Sequence, residues 1–141
     1  MPYREKLAWL SLVAMAVTYG PYFTLAALAP PTTALPDLSR LGVFAATSLS
    51  HMVIIMVGRL YFMARSPEDA RAPADERDLA IERRSKTTAY YLLMAGMILV
   101  GVVMPFTAGG WIIVNAALAT IVGVEILRDG LIVLGYRRGV A

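Results

Sequence analysis

The 141-residue sequence contains no cysteine and a single histidine. Without thiols there is no disulfide, no thiolate nucleophile and no cysteine metal site, and one imidazole does not make the multi-histidine sets that hold zinc. Charge is scarce as well: 16% of the residues are Asp, Glu, Lys or Arg, against about 25% in soluble domains. A glycine-rich phosphate loop, a nucleophile elbow and a basic stripe for nucleic acid are all missing. No metal, no cofactor and no nucleic-acid partner is therefore expected. Catalysis is the least favoured reading, because no nucleophile or metal set accompanies the few titratable groups. Apolar residues are what the chain has in abundance, at 58% with a mean hydropathy of +0.63. Such a chain reads as one domain whose solvent is the lipid bilayer.

About 20 apolar residues in helix cross the hydrocarbon core. Four stretches meet that length, at residues 7–29, 41–64, 89–108 and 110–136. The first follows Arg4 and Lys6 and ends in "LAALA", which has some likeness to a secretory signal. Its apolar run exceeds the roughly 7–15 residues of a signal, and Pro30 follows at once, so it is read as a retained helix. Of the 13 Lys and Arg, ten flank the spans on one side: Arg4 and Lys6, six between Arg65 and Lys86, and Arg137 with Arg138. Arg40 alone flanks them on the other, and Arg59 and Arg128 lie within spans. The rule that short basic loops stay inside puts both termini and the loop 65–88 in the cytoplasm. Trp9, Tyr61, Phe62, Tyr90, Tyr91 and Tyr136 then fall at the inner boundary, and Phe44, Phe106 and Trp111 at the outer one. The expected fold is an all-α integral membrane protein, four transmembrane helices in a bundle. "PYFT" at 21–24 and "PFT" at 105–107 look alike, but the helices after them do not align, so no internal duplication is read.

The loop opens with Pro67 and Pro73 among alanines and charges and reads as a linker; its second half reads as a helix start. Asp75 can cap and Asp78, three residues on, can complete the reciprocal arrangement. Glu82 and Lys86 are spaced for an i, i+4 pair on a helix that runs on into the third span. "DERDLAIERRSKTTAYY", at 75–91, resembles the signature of a family of small, uncharacterised prokaryotic membrane proteins, carried here by Asp75, Glu76, Arg77, Asp78, Ile81 and Arg84. The resemblance implies a multi-spanning protein of the prokaryotic inner membrane and supplies no activity. Read from its residues, the motif is either a capped, charge-balanced entry into the membrane or a docking site for a cytoplasmic partner or anionic headgroups.

Within the spans, Arg59, Arg128 and Asp129 fall near the inner edge of the hydrocarbon, where Arg can snorkel and Asp can pair, and are read as an interfacial ion cluster. Glu125 lies about 6 Å deeper than Asp129 at 1.5 Å rise per residue, on a face shared with Asn115 and Val122. His51 and Tyr19 come from other spans to a comparable depth, and Gly20-Pro21 should kink the first helix there. A carboxylate near mid-membrane costs about 2.5–3.5 kcal/mol to insert. Glu125, His51, Tyr19 and Asn115 are thus the candidate substrate- or ion-binding residues, with Glu125 facing His51 and Tyr19, either as a neutral structural pair or as a proton- or cation-linked site. Gly42, Ala46 and Ser50 on the second span, and Ala119 with Gly123 on the fourth, offer close helix contacts, within the protomer or in a homo-oligomer. Two functions remain: a small transporter or channel with a polar mid-membrane site, or an accessory, immunity or signalling protein acting through the cytoplasmic loop.

Overall fold

The computed structural model describes residues 1–30 and 37–139; the connection at 31–36 and the last two residues lie outside them. The described chain is helical: α1 (Tyr3–Leu28), α2 (Leu38–Arg65), α3 (Pro67–Arg71), α4 (Glu76–Ile98) and α5 (Gly110–Arg138). Four helices, Tyr3–Leu28, Leu38–Arg65, Glu76–Phe106 and Gly110–Arg138, are long and apolar enough to cross a membrane. At 1.5 Å per residue they measure about 39–47 Å against a hydrocarbon core of about 30 Å. Their ends therefore reach past it.

Local chemistry sets the boundaries. Asp37 accepts the Arg40 amide at 3.1 Å and starts α2. Asp75 and Asp78 form the reciprocal cap of α4, the Asp78 amide donating to Asp75 at 2.6 Å and the Asp75 amide to Asp78 at 3.4 Å. Gly139, at φ 63°, ends α5 in the left-handed region open to glycine. The stretch read as a linker contains the short α3, started by Pro67 in its first turn, a position where a missing N–H costs nothing.

The two prolines inside spans behave differently. α1 runs unbroken through Pro21 to Leu28. Before Pro105, by contrast, the helix widens into a π turn at Leu99–Val103 and tightens into a 3-10 turn at Met104–Phe106. Pro105 has no N–H for the carbonyl four residues back, and its ring crowds that carbonyl; a local change of pitch relieves both. This contrast also separates the two look-alike stretches.

The helices pack in the order α2, α1, α5, α4, each mainly on its neighbours in that row. Small residues allow it: Ala8, Ala14, Ser85 and Ala89 are among the most buried side chains. Gly58 of α2 lies against Leu10 of α1, Gly96 of α4 against Thr120 of α5, and Gly135 of α5 against Ile81 of α4, each so close that a Cβ would overlap its neighbour. α2 touches α1 through Phe44, Ser48, His51 and Gly58, and has no buried residue. The small residues singled out in the sequence are not these. Gly42, Ala46, Ser50, Ala119 and Gly123 are all exposed, and a Cβ on Gly42 or Gly123 would meet nothing. Packing within the protomer does not use them.

Candidate functional site

The end of the molecule that carries both termini is tied by charge. Tyr136 of α5 donates its hydroxyl to Asp78 of α4, and Arg77 donates to the Tyr136 carbonyl at 3.1 Å. Arg4 of α1 sits 3.5 Å from Asp78 and 3.3 Å from Glu82, while Lys86 closes on Glu82 at 2.7 Å, the i, i+4 pair read from the sequence. Glu82 precedes the third span, and the hydrogen bond from Lys86 holds its carboxyl below the usual value despite partial burial. Glu5, buried at 7%, pairs with Arg137 at 3.6 Å, and that guanidinium lies over the Trp9 ring. The D-E-R-D stretch is therefore largely engaged inside the molecule. Asp75 caps, Arg77 and Asp78 join α4 to α5, and Ile81 packs on Gly135. Glu76 and Arg84 are exposed and have no polar partner among the described residues.

About two turns deeper along α5 than Tyr136, Arg128 holds two carboxylates. Its Nη1 lies 2.6 Å from Glu125, and its Nε and Nη2 donate to Asp129 Oδ1 at 3.1 and 2.9 Å. Asp129, read as one of the interfacial ions, is packed inside the molecule. It is 2% exposed, and its Oδ2 has no hydrogen-bond partner among the described residues. The Glu125 side chain, expected to be the buried one, is 39% exposed. Asp129 lies on the face that packs, with Val122 and Val133, whereas Glu125 turns towards open space. Arg59 of α2, grouped with them in the sequence reading, makes no hydrogen bond or ion pair among the described residues.

That open space is a cavity of about 580 Å³ walled by all four long helices. Arg4, Asp78, Glu82, Lys86 and Tyr136 ring one end; Arg59, Glu125, Arg128 and Asp129 surround its middle; Tyr19 and His51 reach its deep end. Between them the walls are apolar, with Met15, Ile55, Ile121 and Val122. From Arg4 to Tyr19 along α1 is about 22 Å at 1.5 Å per residue, so the cavity runs along the helices rather than across them. α2 and α4, the outer members of the row, do not pack on one another as the other neighbours do, and face each other across it.

His51 and Tyr19 meet as expected, their rings 5.4 Å apart. The partner of the imidazole is Thr18, whose hydroxyl lies 3.3 Å from Nδ1, and Tyr19 reaches Ser48 at 3.5 Å. Glu125 shares the cavity with both but bonds to Arg128, so the pair expected between Glu125 and His51 is replaced by two separate pairs. An Arg three residues away on the same helix is simply the nearer partner. Asn115 is elsewhere. It accepts from Tyr22 at 3.5 Å, beside a small pocket of about 110 Å³ that also takes in Arg40 and Trp111. Arg40 there donates to the Ala29 carbonyl and lies over Trp111. Arg4, Glu82 and Tyr136 were missed as cavity residues because sequence position put them in flanking segments; their placement on faces continuous with the spans was the available signal. No group of His, Asp and Glu among the described residues is arranged to hold a metal ion. Compared with known proteins, the chain matches no family model, no curated protein and no solved structure.

Proposed function

We propose that the chain is a small transporter of the prokaryotic inner membrane, four transmembrane helices with both termini in the cytoplasm, whose cavity takes up a small polar molecule or ion. The observation that carries this reading is the cavity itself, which joins a charged end to Tyr19 and His51 deep among the helices. Lys and Arg placement orients that charged end to the cytoplasm. At the other end the helices are held together by Tyr22 with Asn115, the edge contact of Tyr22 on Phe44, and Arg40 over Trp111. A site reached from one side and closed towards the other fits a carrier better than an open pore. The unpacked small residues Gly42, Ala46, Ser50, Ala119 and Gly123 favour a homo-oligomer.

Flux in proteoliposomes tests the reading, with protons, alkali cations and small polar solutes offered to wild type and Glu125→Gln. Gln keeps size and hydrogen bonding but holds no charge and releases no proton. Flux in the wild type that falls in the variant, with unchanged melting, supports a transport site; no flux of any solute removes it. Cysteines placed at positions 70 and 109 of this thiol-free chain report the orientation, since an impermeant reagent applied outside should label position 109 only. A second reading, an accessory protein docking a partner, rests on the exposed Glu76, Arg83 and Arg84, which no intramolecular polar contact uses. Arg84→Glu would then abolish co-purification of that partner and leave the fold intact.

A further inference from the structure

The cavity's charges divide into three groups that can be balanced separately. Arg4 and Lys86 meet Asp78 and Glu82, two cations against two carboxylates, and are neutral together. Arg128 meets both Glu125 and Asp129, one cation against two carboxylates, and leaves one negative charge over. Arg59 faces the same cavity with no carboxylate at all. One surplus negative charge on α5 and one surplus positive charge on α2 thus line a single space without touching. Two details show that the negative surplus is held at the cavity wall. Asp129 is 2% exposed and its Oδ2 accepts no hydrogen bond among the described residues. Glu125, in contrast, turns its carboxylate towards the cavity while giving only one ion pair to Arg128.

We propose that the cavity binds a small zwitterion, its acid group on Arg59 and its ammonium on the Glu125–Arg128–Asp129 cluster. The proposal rests on the reading of the cavity as a substrate site and names what it takes. A guanidinium presents paired N–H donors that fit a carboxylate or phosphate, and an ammonium offers up to three donors to a cluster short of them. A ligand carrying only an acid would leave the carboxylate surplus unmatched beside the buried Asp129, and one carrying only an amine would leave the Arg59 guanidinium without an acid partner. Below these two points Ile55, Ile121 and Val122 offer an apolar wall for a short carbon skeleton. A free amino acid and a phosphoethanolamine headgroup share the required chemistry.

Binding to the purified full chain by calorimetry tests this. The probes are the ω-amino acids from glycine to ε-aminocaproate, with the matching n-alkanoates and n-alkylamines. Zwitterions should bind with a single optimum of chain length, set by the gap between α2 and α5, and at least about tenfold more tightly than the acid or amine of equal length, the loss expected of one charge-assisted hydrogen bond. Arg59→Gln and Glu125→Gln should each remove that preference, and Arg59→Lys should retain it at lower affinity. Nanodiscs of phosphatidylglycerol, with and without phosphatidylethanolamine, separate the two sources, because a headgroup occupant would compete with the soluble probes. Alkanoates or alkylamines that bind as tightly as zwitterions overturn the proposal and leave the transport reading standing. So does a coupling between Arg59 and Glu125 in thermal melting without any probe, which would mean that the two groups pair with each other. Neither binding nor flux for any charge class overturns both.

Discussion

Replacing Gly96 by alanine should change sign according to what stands at position 120. A methyl at Gly96 would fall inside van der Waals contact with Thr120 Cγ2, and the Thr120 Cβ lies 3.6 Å from the same point. Thr120 cannot simply turn away, because its hydroxyl donates to the Ala116 carbonyl at 2.8 Å, and a hydrogen bond of that kind is worth about 1 kcal/mol. Either that bond breaks or α4 and α5 move apart, so overpacking should cost about 1–3 kcal/mol. Against this, alanine within a helix gains about 1 kcal/mol over glycine. Gly96→Ala alone should therefore leave the protein no more stable, and up to about 2 kcal/mol less so. Thr120→Ser removes the obstructing methyl and keeps the hydroxyl bond; in that background the same Gly96→Ala should stabilise by up to about 1 kcal/mol. Thermal unfolding in detergent micelles of the wild type, both single variants and the double variant closes the cycle. A Gly96→Ala effect that is equal in both backgrounds would refute the account, since it would place no contact between the two positions.

Arg128→Lys should destabilise measurably, by about 1–3 kcal/mol, because one ammonium cannot serve Glu125 and both bonds to the buried Asp129; melting equal to wild type would remove Arg128 as the group that holds the two carboxylates. Tyr136→Phe removes the hydroxyl that meets Asp78 and should cost about 1 kcal/mol, with hydrogen exchange rising at the start of α4; no change in exchange there would remove Asp78 as a link between helices. The lowered value of Glu82 gives a pH dependence. An acid whose folded value lies below the ordinary 4.5 adds stability that is present above that value and is lost as pH falls through the folded one. Glu82→Gln should flatten the melting temperature across that acid window and leave the neutral range little altered in slope; an unchanged profile would assign the acid sensitivity elsewhere.

Helix number and extent were legible because they follow from bulk composition: long apolar runs, and the cap chemistry of Asp75 with Asp78. The pairing of Glu82 with Lys86 was legible for the same reason, since it depends only on helical spacing. What could not be read was rotation about each helix axis. Asp129 and Glu125 are four residues apart and share a face in projection, yet one is buried and the other half-exposed. The neighbouring helix that makes the difference comes from elsewhere in the chain. Likewise the close-packing glycines are Gly58, Gly96 and Gly135, whereas the regular four-residue repeat of Gly42, Ala46 and Ser50 faces outward. A repeat of small residues marks a face on which helices can approach, and only the partner's position decides whether one does. His51 and Tyr19 were placed together because depth alone sufficed. Asn115 was drawn to the same group by depth along α5, but it lies six residues beyond Ile121, the last α5 residue to line the cavity.

The pairing of Glu5 with Arg137 brings the first turn of α1 and the last turn of α5 side by side. A ribosome delivers α1 and α2 first, and those two can close on each other as soon as both are made. α5 is made after the other three long helices, and until it is made Glu5 lacks its partner Arg137. The α1–α2 hairpin therefore waits with that carboxylate unpaired. Adjacent ends also mean that a short linker could join them and new ends be opened at the 107–109 turn. Such a permuted chain would make α5 before α1 and would move the waiting to another helix, with the finished fold unchanged.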